Sequence, residues 1–119
     1  MPEAAWSRVS VRIDSSIESE PTKEQVSRAL GQASSDERSA HWFADFGGTE
    51  DDLARRIEAA EEFLVAHRDR LTEIAKQTVI SLDISFTPHG NQDGLAISPE
   101  LATELARLNA CTRIDVYID

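Results

Sequence analysis

Hydrophobic and polar residues alternate in two stretches with the period of two that is typical of a β-strand with one buried face. In SRVSVRID, Val9, Val11 and Ile13 share one side of the predicted strand. The longer stretch TVISLDISFTP continues the alternation from residue 80 to residue 87 and predicts a central strand. Together the two strands predict a sheet with one apolar face and one polar face.

The last residues of the sequence, NACTRIDVYID, show the same alternation. Ile114, Val116 and Ile118 take the apolar positions, and we predict that all three belong to the sheet core. Asp115 and Tyr117 then lie on the wet face, where they are candidates only for surface contacts. Such a strand completes the sheet, and its pattern is compatible with an inner position.

Two shorter apolar runs predict further strands. AHWFADFGG contains Trp42, Phe43 and Phe46, and a strand there sends the neighbours Trp42 and Phe43 to opposite faces. We expect these aromatic rings to fill the core, with a ligand-stacking platform as the alternative. The run LAI at residues 95–97 follows the turn-rich PHGNQDG and predicts a hairpin with the long strand before it.

Two short helices carry start and stop signals in the sequence. A residue that caps helices precedes each apolar pattern, and a residue that tolerates the left-handed conformation follows it. The first helix spans residues 23–30, and the second lies in SPELATELARLNA. The signals are Thr22, Gln25 and Gly31 for the first helix, and Ser98, Pro99 and Asn109 for the second.

The longest helical pattern begins near residue 50. Thr49 and Asp52 form a capping signal for it. This start places Glu50, Asp51 and Asp52 in the first turn, where the helix dipole favours negative charge. A single helix would exceed the breadth of so small a domain, so we predict a break near AHRDR. The apolar stripe comprises Leu53, Ile57, Ala60, Leu64, His67, Leu71 and Ile74.

The predicted elements follow the order strand, helix, short strand, long helix, short helix, strand, strand, helix and strand. Most of the strands alternate rather than being apolar throughout, which favours an α+β fold. We expect a two-layer sandwich in which a mixed or antiparallel sheet of four to five strands carries helices on one face. Residues 1–119 are expected to form this single α+β domain.

The charge of the chain narrows the class of partner. Twenty-two acidic side chains against twelve basic ones give a formal net charge of −10. This charge disfavours nucleic acid and anionic membranes, and it favours either simple solubility or a basic protein partner. The first residues lack the basic start and apolar run of a signal peptide, so the cytoplasm is the expected compartment. The oligomeric state is left open.

Signatures of catalysis and of cofactor binding are scarce. FGG and HGNQDG lack the features of a phosphate-binding loop, and no serine stands in a nucleophile elbow. Cys111 permits no internal disulfide and is expected to be a buried structural thiol. His41, His67 and His89 are too widely spaced to form a local metal motif. We therefore expect no cofactor, no metal site and no catalytic residue.

One enzymatic alternative stays open, a small hydrolase-type enzyme that uses carboxylates on the sheet face. Asp83 and Asp115 would face each other across adjacent strands, and such a pair can perform general acid-base chemistry. His41 or His89 would complete the site. Because carboxylates are common on wet sheet faces, we prefer to interpret them as solvated surface groups.

The strongest concentration of charge runs from residue 45 to residue 62. Seven carboxylates against Arg55 and Arg56 leave −5 there, half the excess of the chain. The helical spacing predicts a solvent-facing ridge opposite the apolar stripe. Either a basic partner docks on this ridge, or it is a solvated helix face with internal ion pairs. The predicted partner-binding residues are Asp45, Glu50, Asp51, Asp52, Glu58, Glu61 and Glu62.

The second half of the chain resembles a known family. SLDISF, the loop after it and GLAISPELATELARLNACTRIDVYID are similar to the domain of unknown function 4279 family of bacterial proteins. In that family a strand, an L-x-I-S-P-E-L element, an alanine-leucine helix and a final D-x-D-x-Y-like strand recur. EQVSRALG and LARRIEAAEEFLVAHRDRLTEIA are also similar to the family's pattern. The resemblance implies a small stand-alone bacterial α+β protein without established catalytic residues.

The resemblance and the acidic charge together lead to an expectation about function. Small acidic bacterial proteins of this kind often resemble immunity proteins, which neutralise toxins deployed between bacteria, although fold alone does not determine function. We therefore expect a non-enzymatic acidic binding protein, most concretely an immunity protein that blocks the active site or substrate groove of a basic toxin domain. A housekeeping interaction or scaffold module is the main alternative.

Overall fold

The computed structural model describes residues 6–15, 20–48, 51–87 and 95–117. Within these residues the chain forms four strands and four helices. In chain order they are β1 (Ser7–Ile13), α1 (Lys23–Leu30), β2 (Trp42–Asp45), α2 (Leu53–Ala66), α3 (Arg68–Ala75), β3 (Ile80–Phe86), α4 (Pro99–Arg107) and β4 (Cys111–Val116). The predicted α+β class is confirmed.

The strands form one mixed sheet in the order β2-β1-β3-β4. β1 pairs in antiparallel orientation with both β2 and β3, whereas β3 and β4 are parallel. Parallel neighbours need a crossover connection, and α4 lies in the connection between β3 and β4. β1 and β3 are therefore the inner strands, while β2 and β4 are the two edges of the sheet.

The inner strands place their apolar side chains on one face of the sheet. Val9 lies opposite Ile84, and Val11 lies opposite Leu82. These four side chains are at most 1% exposed. Helix α2 packs against β1, and its Leu64 is also 1% exposed. The opposite face carries the polar side chains of the strands and is partly solvent-exposed, as predicted.

The local helix signals correspond to observed caps. The Thr22 hydroxyl accepts a hydrogen bond from the Gln25 N–H, and the Gln25 side chain accepts one from the Thr22 N–H, which completes a capping box. Ser98 caps α4, and Asn109 has a φ of +50° just beyond its end. The long helical pattern breaks at the half-buried His67, which separates α2 from α3 as predicted.

The predicted start of α2 is wrong by one turn. Asp52, rather than Thr49, is the N-cap, and its carboxylate accepts the Arg55 N–H at 2.9 Å. Asp51 and Asp52 therefore precede the helix instead of lying in its first turn. Thr49 and Glu50 lie outside the described residues.

The predicted hairpin between the long strand and LAI is also wrong. Residues 95–97 form no strand, and they lead directly into the N-cap of α4. Leu95 packs partly against the core, but Ile97 is 36% exposed. An apolar run this short gains too little burial to define a strand. The predicted turn, in residues 88–94, lies outside the described residues.

The final strand lies at the edge of the sheet, and its predicted burial is wrong. Ile114 is 45% exposed and Val116 is 47% exposed, although the register places them beside the buried Ile84 and Phe86. These exposures show that the described helices cover the β4 end of the apolar face only in part. Ile118 lies outside the described residues.

Candidate functional site: an acidic groove between α2 and α4

An open groove of about 280 Å³ lies between α2 and the start of α4. It forms where these two helices pack against each other. Three apolar side chains, three carboxylates and one serine line it. The lining residues, which we call the acidic groove, are Ala54, Ile57, Glu58, Glu61, Ala96, Ser98 and Glu100.

Helical spacing on α2 supplies one side of the acidic groove. Ala54, Ile57, Glu58 and Glu61 are separated by three or four residues along the helix, which places them on one face. Ile57 belongs to the core and is 7% exposed, whereas Glu58 is exposed and Glu61 is half-buried. This face of α2 therefore passes from core to carboxylates within about one turn.

Ser98 connects the two sides of the acidic groove. Its hydroxyl oxygen accepts the Leu101 N–H at 3.0 Å as the N-cap of α4. The same hydroxyl donates to the Glu61 carboxylate at 2.6 Å. Because the cap orders the first turn of α4, it also holds Glu100 at the groove.

Arg55 neutralises part of the negative charge beside the groove. Its guanidinium lies 3.1 Å from the Glu58 carboxylate and 3.3 Å from the Glu62 carboxylate. The hydrogen bond to Glu62, together with the charges of Glu62 and Glu58, raises the pKa of Arg55 above its ordinary value. All three side chains are exposed, so these ion pairs contribute little to stability. They are the internal pairs that the sequence offered as the alternative to a docking ridge.

Two of the predicted partner-binding residues serve the turn before α2. Asp52 caps the helix, and the Asp51 carboxylate accepts the Gly48 N–H at 2.7 Å. Arg56 donates to the Gly48 carbonyl at 2.6 Å. The charges of this segment are thus partly used for local structure. Glu50 lies outside the described residues.

The remaining predicted residues divide between two places. Asp45 lies on β2, where its carboxylate is 3.2 Å from the Arg8 guanidinium and outside the groove. Glu58 and Glu61 line the groove together with Glu100, which the sequence analysis did not select. Only the packing of α4 against α2 brings Glu100 there. The N-cap signal in the sequence predicts that Glu100 lies in the first turn of α4, but it does not predict that Glu100 lies beside Glu58 and Glu61 of α2.

The register of β3 and β4 does not place the two candidate catalytic carboxylates opposite each other. Asp83 lies opposite Arg113, and Asp115 lies opposite Ser85. Asp115 is 3.2 Å from Arg113, while Asp83 accepts a hydrogen bond from the Ser81 hydroxyl. The enzymatic alternative assumed that these two carboxylates face each other, and the observed register places them diagonally on neighbouring strands instead.

The histidines that the structure describes are held separately. His41 Nδ1 lies 3.7 Å from the Asp14 carboxylate, His67 stands at the junction of α2 and α3, and His89 is not among the described residues. Across 6–15, 20–48, 51–87 and 95–117, no three His, Cys or carboxylate residues are grouped to hold a metal ion. Cys111 is exposed, so the predicted burial of its thiol is wrong.

Comparisons with known proteins do not narrow the interpretation of the groove. No family model, curated protein or solved structure matched this chain. The resemblance to the domain of unknown function 4279 family stays a prediction, as does the cytoplasmic compartment. Among the helices of the described ranges, none has the length and apolar character that crossing a membrane requires.

Proposed function

We propose that this protein is a non-enzymatic binding protein that holds a basic segment of a partner protein in the acidic groove. The observation that carries the proposal is the grouping of Glu58, Glu61 and Glu100 with the apolar side chains of Ala54 and Ile57. Lysine and arginine combine an aliphatic stem with a cationic head. One such side chain therefore finds both an apolar contact and a charged partner in the groove.

Two further properties of the acidic groove favour a basic ligand. The chain carries a net charge of −10, and a charge of this sign accelerates the approach of a basic protein before contact. The Glu61 carboxylate is already oriented by the Ser98 hydroxyl. A group that is positioned before binding loses less conformational entropy when the partner arrives.

The most concrete form of the proposal is toxin neutralisation. A toxin that acts on nucleic acid needs a basic substrate groove, because its substrate is a chain of phosphates. An acidic protein that occupies this groove competes with the substrate and needs affinity rather than chemistry. The resemblance to a family of small bacterial proteins supports this form, in which the chain acts as an immunity protein.

The proposal is tested by removing charge from the groove and, separately, from a matched site. Glu58→Gln/Glu100→Gln removes two groove carboxylates. Glu24→Gln/Glu73→Gln removes two exposed carboxylates of α1 and α3, each of which is ion-paired with a nearby cation as Glu58 is with Arg55. Binding is measured by calorimetry against the product of the adjacent gene, and growth rescue is measured on co-expression with that product.

We expect the wild type and the control variant to bind and to restore growth. The groove variant should bind at least about tenfold more weakly, because hydrogen bonds to charged groups contribute roughly 1.5–3 kcal/mol each. Equal affinity of the groove variant and the wild type would place the interface elsewhere. Binding without rescue would favour the scaffold role, and the absence of both would contradict toxin neutralisation.

A further inference from the structure

The outer edge of β4, here called the β4 edge, is unoccupied by any strand among the residues that the structure describes. The Tyr117 N–H donates to the Phe86 carbonyl on β3 at 2.9 Å. Because the ladder of a parallel pair alternates along the strand, the backbone groups of Thr112, Ile114 and Val116 point away from β3. These residues present an ordered row of donors and acceptors to a further strand.

Exposed apolar side chains accompany these backbone groups. Ile114 and Val116 are 45% and 47% exposed on the face that carries the helices, and Tyr117, next along the chain, is 54% exposed. Strands that remain at a permanent edge are usually protected by charged side chains, proline, a bulge or a covering loop. The charges of β4, Arg113 and Asp115, are of opposite sign and pair with each other, so they do not give the edge a net charge that repels a further strand. A strand with exposed apolar side chains on one face and an open outer edge is suited to receive another strand.

We propose that the β4 edge receives the β4 edge of a second copy of this chain in antiparallel orientation. The two copies are related by a twofold axis that lies midway between the two Ile114 residues and is called here the axis through Ile114. The two four-stranded sheets would then form one continuous sheet of eight strands. The twofold axis runs perpendicular to the sheet, so both helix layers, and with them both acidic grooves, lie on the same side. This inference concerns a different surface from the proposed function and does not depend on it.

The charges of β4 select the second copy as the partner and determine the register. Residues directly opposite each other in an antiparallel pair project from the same face, whereas consecutive residues of one strand project from opposite faces. The twofold axis must therefore place one residue directly opposite its own copy. An axis through Arg113 places this guanidinium against its own copy, and an axis through Asp115 does the same for the carboxylate. Like charges directly opposite each other are destabilising.

An axis through Ile114 removes both conflicts. Arg113 then lies opposite the partner's Asp115, and this complementary pair occurs twice. These pairs occupy the positions without backbone hydrogen bonds, where side chains of opposite strands approach most closely. Ile114 meets its own copy and Val116 meets the partner's Thr112, so each exposed apolar side chain gains a cross-strand neighbour on the same face.

Charge reversal tests the proposal at Arg113 and Asp115, a surface pair with side chains 62% and 41% exposed. Because Arg113→Asp would also lie opposite Asp83 of its own chain, Asp115→Arg is the cleaner of the two single variants. In sedimentation equilibrium, the wild type should show a concentration-dependent dimer. Arg113→Asp and Asp115→Arg each produce like charges across the axis and should each weaken the dimer by about tenfold or more. A mixture of the two variants should restore the dimer, and so should the double variant Arg113→Asp/Asp115→Arg.

Monomeric wild type at every concentration reached would overturn the proposal. The same holds for single variants that dimerise as well as the wild type, provided that circular dichroism shows all chains folded. A result in which the wild type dimerises but charge reversal has no effect would place the dimer interface away from the β4 edge.

A cysteine scan tests the register separately. In a Cys111→Ser background, Ile114→Cys places a thiol directly opposite its own copy, at a Cα separation of about 5.5 Å that a disulfide can bridge. Arg113→Cys and Asp115→Cys are the controls, since each thiol would lie opposite a different residue of the partner. We expect rapid cross-linking only for Ile114→Cys under mild oxidation. Preferential cross-linking at either control position would contradict the axis through Ile114.

Discussion

The outward-facing backbone groups at the two edges of the sheet differ in whether they are hydrogen-bonded within the chain. At the β2 edge, the loop that follows α1 runs beside the strand, and its Ser35 N–H donates to the Phe43 carbonyl at 2.8 Å. The Ser34 hydroxyl accepts the Phe43 N–H at 3.0 Å, and the Ser35 hydroxyl accepts the Asp45 N–H at 3.1 Å. At the β4 edge the outward-facing groups have no such cover among the described residues. One edge is satisfied within the chain, while the other is suited to a partner.

Helix α1 stabilises the loop at the β2 edge through hydrogen bonds from one lysine. The Lys23 ammonium group donates to the carbonyls of Asp36 and Ser39. The Asp36 carboxylate accepts the N–H groups of Arg38 and Ser39 at 2.9 and 3.2 Å. The covering segment is therefore an ordered structure rather than an incidental contact. The contrast with β4 shows that, within the part of the chain that the structure describes, the backbone groups of one sheet edge are covered and those of the other are not.

The largest expected effect comes from truncating one apolar side chain at each edge. Trp42 on β2 is 0% exposed and its ring lies 6.0 Å from that of Phe63, so Trp42→Ala should lower the free energy of unfolding by about 3–5 kcal/mol. Ile114→Ala on β4 should lower it by about 1 kcal/mol or less, because the side chain is already half exposed.

Urea denaturation at low protein concentration measures both variants without a contribution from self-association. Matched losses of stability for Trp42→Ala and Ile114→Ala would contradict the difference between the edges. A much larger loss for Trp42→Ala, with unchanged denaturant dependence, would support it.

A smaller, pH-dependent effect is expected from the loop that covers β2. The hydrogen bonds from the Arg38 and Ser39 N–H groups lower the pKa of Asp36 below its ordinary value of 3.8. A carboxyl group with a lowered pKa stabilises the folded state above its unfolded pKa, and this contribution is lost as the pH falls through the lowered folded value. Asp36→Asn should therefore lower the thermal midpoint at pH 7.

The difference between Asp36→Asn and the wild type should shrink as the pH falls below about 4 and should vanish below the lowered pKa. Glu37→Gln removes a charge from the exposed neighbouring residue and serves as the control. A difference for Asp36→Asn that stays constant from pH 7 to the acid limit would exclude the charge of Asp36 as its cause.

The sequence predicts best those features that depend on neighbouring residues. The capping box of Thr22 and Gln25 and the break near His67 follow from local hydrogen bonding and helical spacing, and the structure contains both. The pairing of Thr49 with Asp52 in one capping signal was wrong, because both residue types cap helices and their spacing does not say which of them begins the helix. The observed N-cap is Asp52.

The burial of β4 and the composition of the acidic groove depend on how the helices pack, and local sequence patterns do not predict that packing. Alternation along β4 correctly places Ile114 and Val116 on the apolar face, but it gives no sign of whether a helix covers that end of the sheet. Glu100 reaches the acidic groove only because α4 packs against α2. A period in sequence identifies which side chains share a face, whereas the neighbours of that face are set by tertiary contacts.

Amide hydrogen exchange, measured at low and at high protein concentration, tests the difference between the two edges most directly. The outward amides of β2, at Phe43 and Asp45, should be protected to the same degree at both concentrations. The outward amides of β4, at Thr112, Ile114 and Val116, should exchange rapidly when dilute and become protected when concentrated. Rapid exchange of the β4 amides at both concentrations, or protection of them at both, would contradict an edge that is open in the monomer and paired in the dimer.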